Sequence, residues 1–225
     1  MRRRTKWIIS AGIASLVGAA VVGPFVYSAL SDEPPSLIER RFVTDGVVST
    51  ADADGRWVVG EGSVVGYRVE EQIGLAELVA VGRTNAVTGA VEIRDGALTA
   101  AAFEVDMTTF RSDRSQRDEQ FRTRIMDTVS HPTAGFRFTP PLRLPATVSP
   151  TEPIGVSGEL ELRGTTRSVT FDIYTSVDGD RLHLTGATEI VFRDWGIPNP
   201  SVPSAFIYTA DTGTLEFDIV LEPTD

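Results

Sequence analysis

Apolar and polar residues alternate along most of the chain from Arg56 onward, and this pattern restricts the fold more than any other feature. It is clearest at residues 103–107, 156–162, 169–173 and 215–221. Because successive side chains of a strand point to opposite faces, each segment predicts a strand with one apolar and one wet face. Tight turn signals between the strands indicate an antiparallel sheet, and closing that sheet into a barrel would remove its exposed edges.

One segment breaks the alternation. Residues 115–125 contain strong helix formers, with Ser115 in position to cap the first turn. The apolar residues of this stretch are few, namely Phe121 and Ile125, followed by Met126. We therefore expect a short helix that lies across a barrel opening.

The N-terminal region has the composition of a membrane anchor. Residues 7–30 carry no charge, and a helix of this length spans about 36 Å, enough for a hydrocarbon core of roughly 30 Å. The basic tail at residues 1–6 predicts a cytoplasmic N-terminus and an extracytoplasmic remainder, as in a single-pass protein of the cell membrane. A cleaved signal peptide is the alternative, but the apolar run is longer than the usual 7–15 residues, which favours an uncleaved anchor.

Charge and composition exclude several classes of function. Residues 31–225 hold 17 basic against 31 acidic residues, and an acidic body argues against general nucleic-acid binding. Cysteine is absent, which excludes disulfides, thiolate metal sites and cysteine nucleophiles. The acid-rich residues 31–54 indicate a flexible tether with an r.m.s. span of about 27 Å, which would keep the domain at residues 55–225 near the lipid surface.

Motifs for catalysis are missing. The chain contains no GxSxG, HExxH, Walker A or EF-hand pattern, and its two histidines, His131 and His183, fall in a loop and on the polar face of a strand. We therefore expect no enzyme activity, no metal and no cofactor. A hydrolase that uses Ser63 or a pair of acids is the catalytic alternative, and it would need these groups within hydrogen-bond reach of each other.

Five segments in natural order resemble the YceI-like, polyisoprenoid-binding family. They are residues 55–69, 81–93, 107–138, 158–173 and 189–198. The resemblance covers essentially the whole domain at residues 55–225 and is to a membrane-anchored, actinobacterial type of member. It implies an eight-stranded antiparallel, lipocalin-like barrel that holds a long isoprenoid lipid, of the polyprenyl phosphate or quinone type. Two family histidines are replaced, one by Gly62 beside Ser63 and one by Gln120.

Inward alternation would place a set of apolar side chains on a cavity wall. Each of them also suits an ordinary sheet core, and the family resemblance is what favours a ligand tunnel. The predicted lining residues are Tyr67, Val69, Val79, Val81, Phe103, Val105, Phe136, Phe138, Phe171, Ile190, Phe192, Phe217 and Ile219.

Four polar residues are candidates for contact with a ligand head group. Arg83 and Asn85 share the apolar face of one predicted strand, where an unpaired guanidinium is very costly. A bulge near Gly82, an internal acid or a ligand head group would each resolve that cost. Arg117 and Asp118 match the family's Arg-Asp pair on the helix, where fastening the helix to the barrel rim is the alternative role.

The leading hypothesis is a membrane-anchored carrier of isoprenoid lipid. The competing hypothesis is a non-catalytic structural or protein-interaction barrel with a dry interior and no ligand. A continuous internal void larger than a few water molecules favours the carrier.

Overall fold

The computed structural model describes residues 34–42 and 48–224. The predicted basic tail and the predicted anchor at residues 7–30 lie outside the described residues. Within the described ranges, no helix has both the length and the apolar character needed to cross a membrane.

Strands dominate the described part of the chain, and all of their pairings are antiparallel. In chain order they are β1 Val48–Ser49, β2 Gly55–Val59, β3 Val64–Ile73, β4 Ala76–Thr84, β5 Val87–Arg94, β6 Ala97–Asp106, β7 Arg111–Ser112, β8 Thr133–Phe138, β9 Leu142–Arg143, β10 Thr147–Val148, β11 Ile154–Leu162, β12 Thr165–Asp178, β13 Arg181–Val191, β14 Ile207–Thr209 and β15 Thr212–Pro223.

Eight strands close into a barrel in the order β2, β5, β6, β8, β11, β12, β13, β15. β15 completes the ring, because it pairs with β13 along most of its length and with β2 near its end, where Leu221 faces Val59. The first half of β15 pairs instead with β3, so the β3–β4 hairpin continues the wall at the other end. The predicted eight-stranded antiparallel barrel is confirmed.

Helical segments are short. Helix α1 spans Ser115–Gln120 and continues into a wider π turn at Phe121–Ile125, so the predicted short helix is confirmed. Arg114 occupies the capping position, one residue before the predicted cap. Single 3-10 turns are found at Leu37–Phe42, Thr50–Ala53, Met107–Thr109, Phe192–Trp195 and Pro203–Ala205.

Two clusters of buried side chains define the two ends of the barrel. The lid end is the end closed by α1 and the π turn, and its core contains Phe110, Phe121 and Trp195. The opposite end, called the far end here, is packed around Trp57 and Leu98. The barrel therefore has two distinct ends.

The described parts of the predicted tether pack against the barrel. Leu37 is completely buried, and the turn that it begins contacts the outer faces of β13, β15 and β12. Val48 and Ser49 pair with β10. Burial of Leu37 contributes to holding this part of the chain on the barrel wall.

Candidate functional site

A long cavity runs through the interior of the barrel, between the two buried clusters. Its volume is about 280 Å³, whereas a cavity that holds one water molecule needs only about 10–15 Å³. Wall residues on β13 extend from Leu182 at the far end to Ile190 at the lid end, about 26 Å along the strand. The cavity therefore exceeds a few water molecules in volume and reaches both ends of the barrel.

Most of the predicted lining residues lie on the cavity wall. They are Tyr67, Val69, Phe103, Val105, Phe136, Phe171, Ile190, Phe192, Phe217 and Ile219. Phe138 is placed elsewhere, because it is buried in the core of the far end. Val79 and Val81 also differ from the prediction and are not part of the wall.

An interruption between β4 and β5 explains why Val79 and Val81 do not lie on the cavity wall. Ala80 lines the cavity on β4, but Val87 and Val91 line it on β5, so the inward face changes from even to odd numbers. Asn85 and Ala86 separate the two strands, and the Val87 amide donates to the Asn85 carbonyl over 2.9 Å. The prediction of one continuous alternation across residues 79–93 was therefore wrong.

Arg83 and Asn85 consequently do not line the cavity. The Arg83 guanidinium lies on the outer face of the wall, where it contacts Oε1 of the buried Glu216 at 3.0 Å, so its partner is an acid of the outer face and not one inside the barrel. Asn85 donates from Nδ2 to the Ser63 carbonyl over 2.9 Å. Both side chains are occupied in holding the wall together.

Arg117 and Asp118 diverge in role although they are adjacent on α1. Asp118 is buried, and its Oδ1 accepts from the backbone N and the hydroxyl of Ser112 over 2.8 and 2.7 Å. Arg117 lies on the cavity wall, where it pairs with Glu71 Oε2 on β3 at 3.3 Å and with Asp113. The Arg117–Glu71 pair fastens the helix to the barrel rim and holds the Arg117 side chain at the cavity wall.

The lid end of the cavity is its polar end. Burial disfavours the charge on Arg117, but Glu71 and Asp113 together raise the pKa of that guanidinium above its ordinary value. Burial also raises the pKa of the neighbouring Tyr67 hydroxyl well above 10, which keeps it neutral. Thr209, on the same wall, has a buried Oγ1 with no partner in the described part of the chain.

Aromatic rings close the cavity over this polar end. Tyr67 stacks on Phe121 at a centroid distance of 5.1 Å, and Phe110 meets Phe121 at 5.0 Å. Phe121 comes from the π turn, so the helical segment supplies both the cation and part of the apolar cover.

Glycines opposite the wall aromatics are the residues that the sequence prediction missed. Gly82 faces the Tyr67 ring on the paired strand, and a Cβ at Gly186 would lie 2.5 Å from Cζ of Phe217. With no side chain in the way, these rings lie along the wall and do not project into the centre, so the barrel stays hollow. A glycine within an alternating segment is the signal, but the pairing appears only with the strand register.

Family comparison agrees with this architecture. The model of the YceI-like domain matches residues 58–221, which is most of the chain. The chain belongs to the YceI-like family. A comparison with curated protein sequences gives no match.

Solved structures share the YceI-like fold at low sequence identity. BcnA of Burkholderia cenocepacia is 17% identical with a TM-score of 0.57, and the match covers 72% of this chain and 98% of BcnA. A polyisoprenoid binding domain from Saccharophagus degradans, implicated in plant cell wall breakdown, is 13% identical with a TM-score of 0.59, covering 76% and 99%. The YceI protein of Campylobacter jejuni is 9% identical with a TM-score of 0.53, covering 64% and 85%.

In this YceI-like chain, the positions that replace the family histidines have structural roles or face solvent. Gly62 has a φ of 97°, a value that favours glycine, and the next residue, Ser63, is buried. The Ser63 hydroxyl donates to the Gly60 carbonyl over 2.9 Å and accepts from the Val220 amide over 3.0 Å. Gln120 is exposed at the end of α1.

Within the described ranges, the groups considered for metal binding or catalysis in this YceI-like chain have other surroundings. Residues 34–42 and 48–224 contain no cluster of three or more side chains that would suit a metal ion. His183 pairs with Asp218 at 3.4 Å on the outer face, and the Ser63 hydroxyl is occupied by backbone groups.

Proposed function

We propose that this protein is a membrane-anchored, extracytoplasmic carrier that holds the chain of a long isoprenoid lipid inside its barrel. The continuous cavity of about 280 Å³ is the observation that carries the proposal. An apolar tunnel of this shape takes a slender hydrocarbon, and its burial contributes about 25 cal/mol for each Å² removed from water. The polyisoprenoid binding domain of Saccharophagus degradans, which shares the fold, is a precedent for this class of ligand.

The polar end of the cavity suits the head group of the ligand. Arg117 offers a planar guanidinium, and a fork of this kind matches phosphate oxygens in pairs. The unpartnered Thr209 hydroxyl and the neutral Tyr67 hydroxyl add hydrogen-bonding capacity at the same end. A polyprenyl phosphate or a quinone is therefore the proposed ligand, with its head at the lid end and its tail toward the far end.

Anchoring is proposed from the sequence. The uncharged residues 7–30 with the basic tail ahead of them would place the N-terminus in the cytoplasm and the barrel outside the cell membrane. A carrier held at the cell membrane is close to its source of lipid. We therefore combine the anchor and the cavity in one proposed function.

A blocked cavity tests the proposal. We expect native mass spectrometry of the full chain, incubated with a polyprenyl phosphate or with a quinone, to show one bound molecule. The Val105→Trp variant fills the wall from inside and should lose this species. Glu104→Trp is the matched control, because residue 104 is exposed and adjacent on the same strand, and it should retain the ligand.

Two outcomes would contradict the proposal. Equal lipid binding by both tryptophan variants would place the ligand outside the barrel. No bound lipid in the natural protein, with either class of ligand, would favour the structural or protein-interaction barrel.

A further inference from the structure

Residues from outside the eight barrel strands line the far end of the cavity. They are Thr50 and Ala53 ahead of β2, and Leu144 and Val148 between β8 and β11. Thr50, Ala53 and Val148 are buried, so they belong to the packed interior and not to the surface. We call residues 48–53 and 144–148 together the far-end plug, because they cover the opening that the ring of strands leaves at this end.

The two segments of the far-end plug are bound to each other. Strand β1 pairs with β10, with Val48 opposite Val148. The Thr50 amide donates to the Ala146 carbonyl over 3.1 Å, and the Thr50 hydroxyl donates to the Pro145 carbonyl over 2.8 Å. The plug is therefore one hydrogen-bonded unit and not two independent loops.

The barrel holds this unit at two places. On β2, Nε1 of Trp57 donates to the Ala53 carbonyl over 2.8 Å. At the turn between β5 and β6, the Leu144 amide donates to the Gly96 carbonyl over 3.0 Å, and the Gly96 amide donates to the Asp54 carboxylate over 3.2 Å. Both segments of the plug are thus attached to the ring of strands, which fixes the position of the cavity end.

The inner side of the far-end plug is apolar. Ala53, Leu144 and Val148 offer only hydrocarbon to the cavity, and the Thr50 hydroxyl already donates to a carbonyl within the plug. A hydrocarbon chain can contact this surface without leaving a buried polar group unpaired. The plug therefore suits the terminus of an isoprenoid tail, whereas the lid end suits the head group.

The length of the passage limits how much tail can lie extended inside it. The wall from Leu182 to Ile190 is about 26 Å along β13, and strands of a barrel tilt by about 35–45°, so the passage is about 20 Å along the axis. An isoprene unit lengthens a chain by four carbon–carbon bonds of about 1.5 Å each, or about 5 Å when extended. About four extended units therefore reach the plug.

Half of the far-end plug lies ahead of the residues that identify the family. The match to the YceI-like domain covers residues 58–221, whereas the first plug segment is residues 48–53. A limit set by this segment is therefore not implied by family membership, and it has to be argued from the contacts of this chain.

We infer that the far-end plug closes the tunnel and sets the longest isoprenoid tail that the barrel accepts. The inference deepens the proposed function and rests on it. Each added isoprene unit gains burial until the tail meets the plug. A longer tail has to fold back or leave its excess units outside the barrel, so its affinity no longer rises. Plug residues then select ligands by tail length, independently of the head group.

A ladder of tail lengths tests this inference by native mass spectrometry of the full chain. One series of polyprenyl phosphates and one of polyprenyl quinones are used, with tails that lengthen by one isoprene unit at each step. In the series that binds, we expect affinity to rise with tail length and to stop rising at about four units.

Variants of the plug should move this limit in opposite directions. Ala53→Phe shortens the passage, so it should lower the limit and weaken binding of the longest accepted tail by at least about tenfold. Leu144→Ala lengthens the passage and should raise the limit. Ala146→Phe is the matched control, because residue 146 is exposed on the same plug, and it should behave as the natural protein.

The outcomes separate this inference from the proposed function. An unchanged limit in both Ala53→Phe and Leu144→Ala, in proteins that still bind lipid, would overturn the inference and leave the carrier standing. Affinity that keeps rising up to the longest tail would show that the plug does not stop the chain, and it would also overturn the inference. If Ala53→Phe does not fold, the limit measured for Leu144→Ala decides. Absence of bound lipid from both series in the natural protein would overturn the carrier and the plug limit together.

Discussion

At the scale of single residues, the hollow interior depends on glycines that face aromatic rings across the sheet. Gly82 and Tyr67 are direct partners of β4 and β3, and the ring occupies the place that a Cβ at residue 82 would take. Such pairs decide whether a ring lies against the wall or fills the centre. They are therefore as important to the cavity as the aromatic residues themselves.

We predict that Gly82→Ala destabilises the protein by about 1–3 kcal/mol and narrows the cavity, because the Tyr67 ring has to move inward. Gly155→Ala is the matched control, since its Cβ would meet nothing closer than 3.9 Å. Urea unfolding and binding of a polyprenyl phosphate measure the two effects. Identical behaviour of the two variants would show that the ring has room to shift.

Tyr67 also predicts a dependence on pH. Its pKa is raised in the folded state, mainly by burial, so the folded protein keeps a proton that the unfolded chain releases. The contribution to stability is complete below about pH 10 and is lost as the pH rises above it. Between pH 8 and 11, we expect the urea midpoint of the natural protein to fall more steeply than that of Tyr67→Phe. Parallel curves would contradict this role of Tyr67.

Single residues also show where prediction from sequence stops. Glu216 alternates with apolar neighbours and so reads as a member of a wet face, yet it is completely buried because Ser36, 180 positions away, covers it. Arg83 was predicted on the apolar face, whereas it pairs with Glu216 on the outer face, and no local pattern identifies this acid as its partner. Contacts between such distant segments are fixed by tertiary packing, which alternation does not encode.

At the scale of elements, an ion pair that is largely shielded from solvent joins the helical lid to the barrel wall. Arg117 and Glu71 have side chains that are each 15% exposed, and together they join α1 to β3. The surface pair of Arg122 and Glu119 on the same segment is more open to solvent and joins the helix only to itself. The two pairs allow the lid contact to be tested against a local control.

We predict that Arg117→Gln loosens the lid, because Glu71 loses its partner at the cavity wall. Amides of residues 115–125 should exchange with solvent faster, and bound lipid should dissociate faster. Arg122→Gln should change stability by no more than about 0.5 kcal/mol and leave lipid release unchanged. Equal exchange in both variants would show that the lid is held by its aromatic contacts alone.

The attachment of residues 34–37 to the barrel wall gives a second element-scale prediction. Replacing Glu216 by glutamine removes the charge that holds Arg83, the Ser36 hydroxyl and the Leu37 amide, and breaking a buried pair costs up to about 3–5 kcal/mol. We expect trypsin to cleave after Arg40 or Arg41 faster than in the natural protein. Glu222→Gln, which breaks an exposed pair with Arg181 on the same strand, should leave the cleavage rate unchanged.

Alternation and turn signals predicted most of the elements themselves. The strands around residues 103, 171 and 217 and the short helix were all expected, because each meets a local rule of period or capping. The division into β4 and β5 was not expected, since Asn85 and Ala86 are neither glycine nor proline and interrupt an apolar run without a turn signal. Because this two-residue interruption was not predicted, the side chains before it were assigned to the wrong face of the sheet.

At the scale of the whole molecule, the barrel has two different ends joined by one apolar passage. The cavity wall includes residues of both buried clusters, so a ligand inside it would contact most of the core. Binding would then stabilise the fold as a unit. The resulting increase in the free energy of unfolding is set by the ligand concentration relative to its Kd.

We predict that a polyprenyl phosphate at about 100 times its Kd stabilises the protein by about 2.7 kcal/mol, which corresponds to a rise in Tm of about 5–10 °C. The Val105→Trp variant should show little of this rise, and Glu104→Trp should show all of it. Thermal unfolding followed by circular dichroism checks the expectation. A shift of equal size in all three proteins would point to binding at the surface.

One strand couples the enclosure of a ligand to the attachment of a distant segment. β15 completes the ring and also carries Glu216, which accepts from the Ser36 hydroxyl and the Leu37 amide. Separation of β15 from its neighbours would therefore open the passage and release residues 34–37 in the same event.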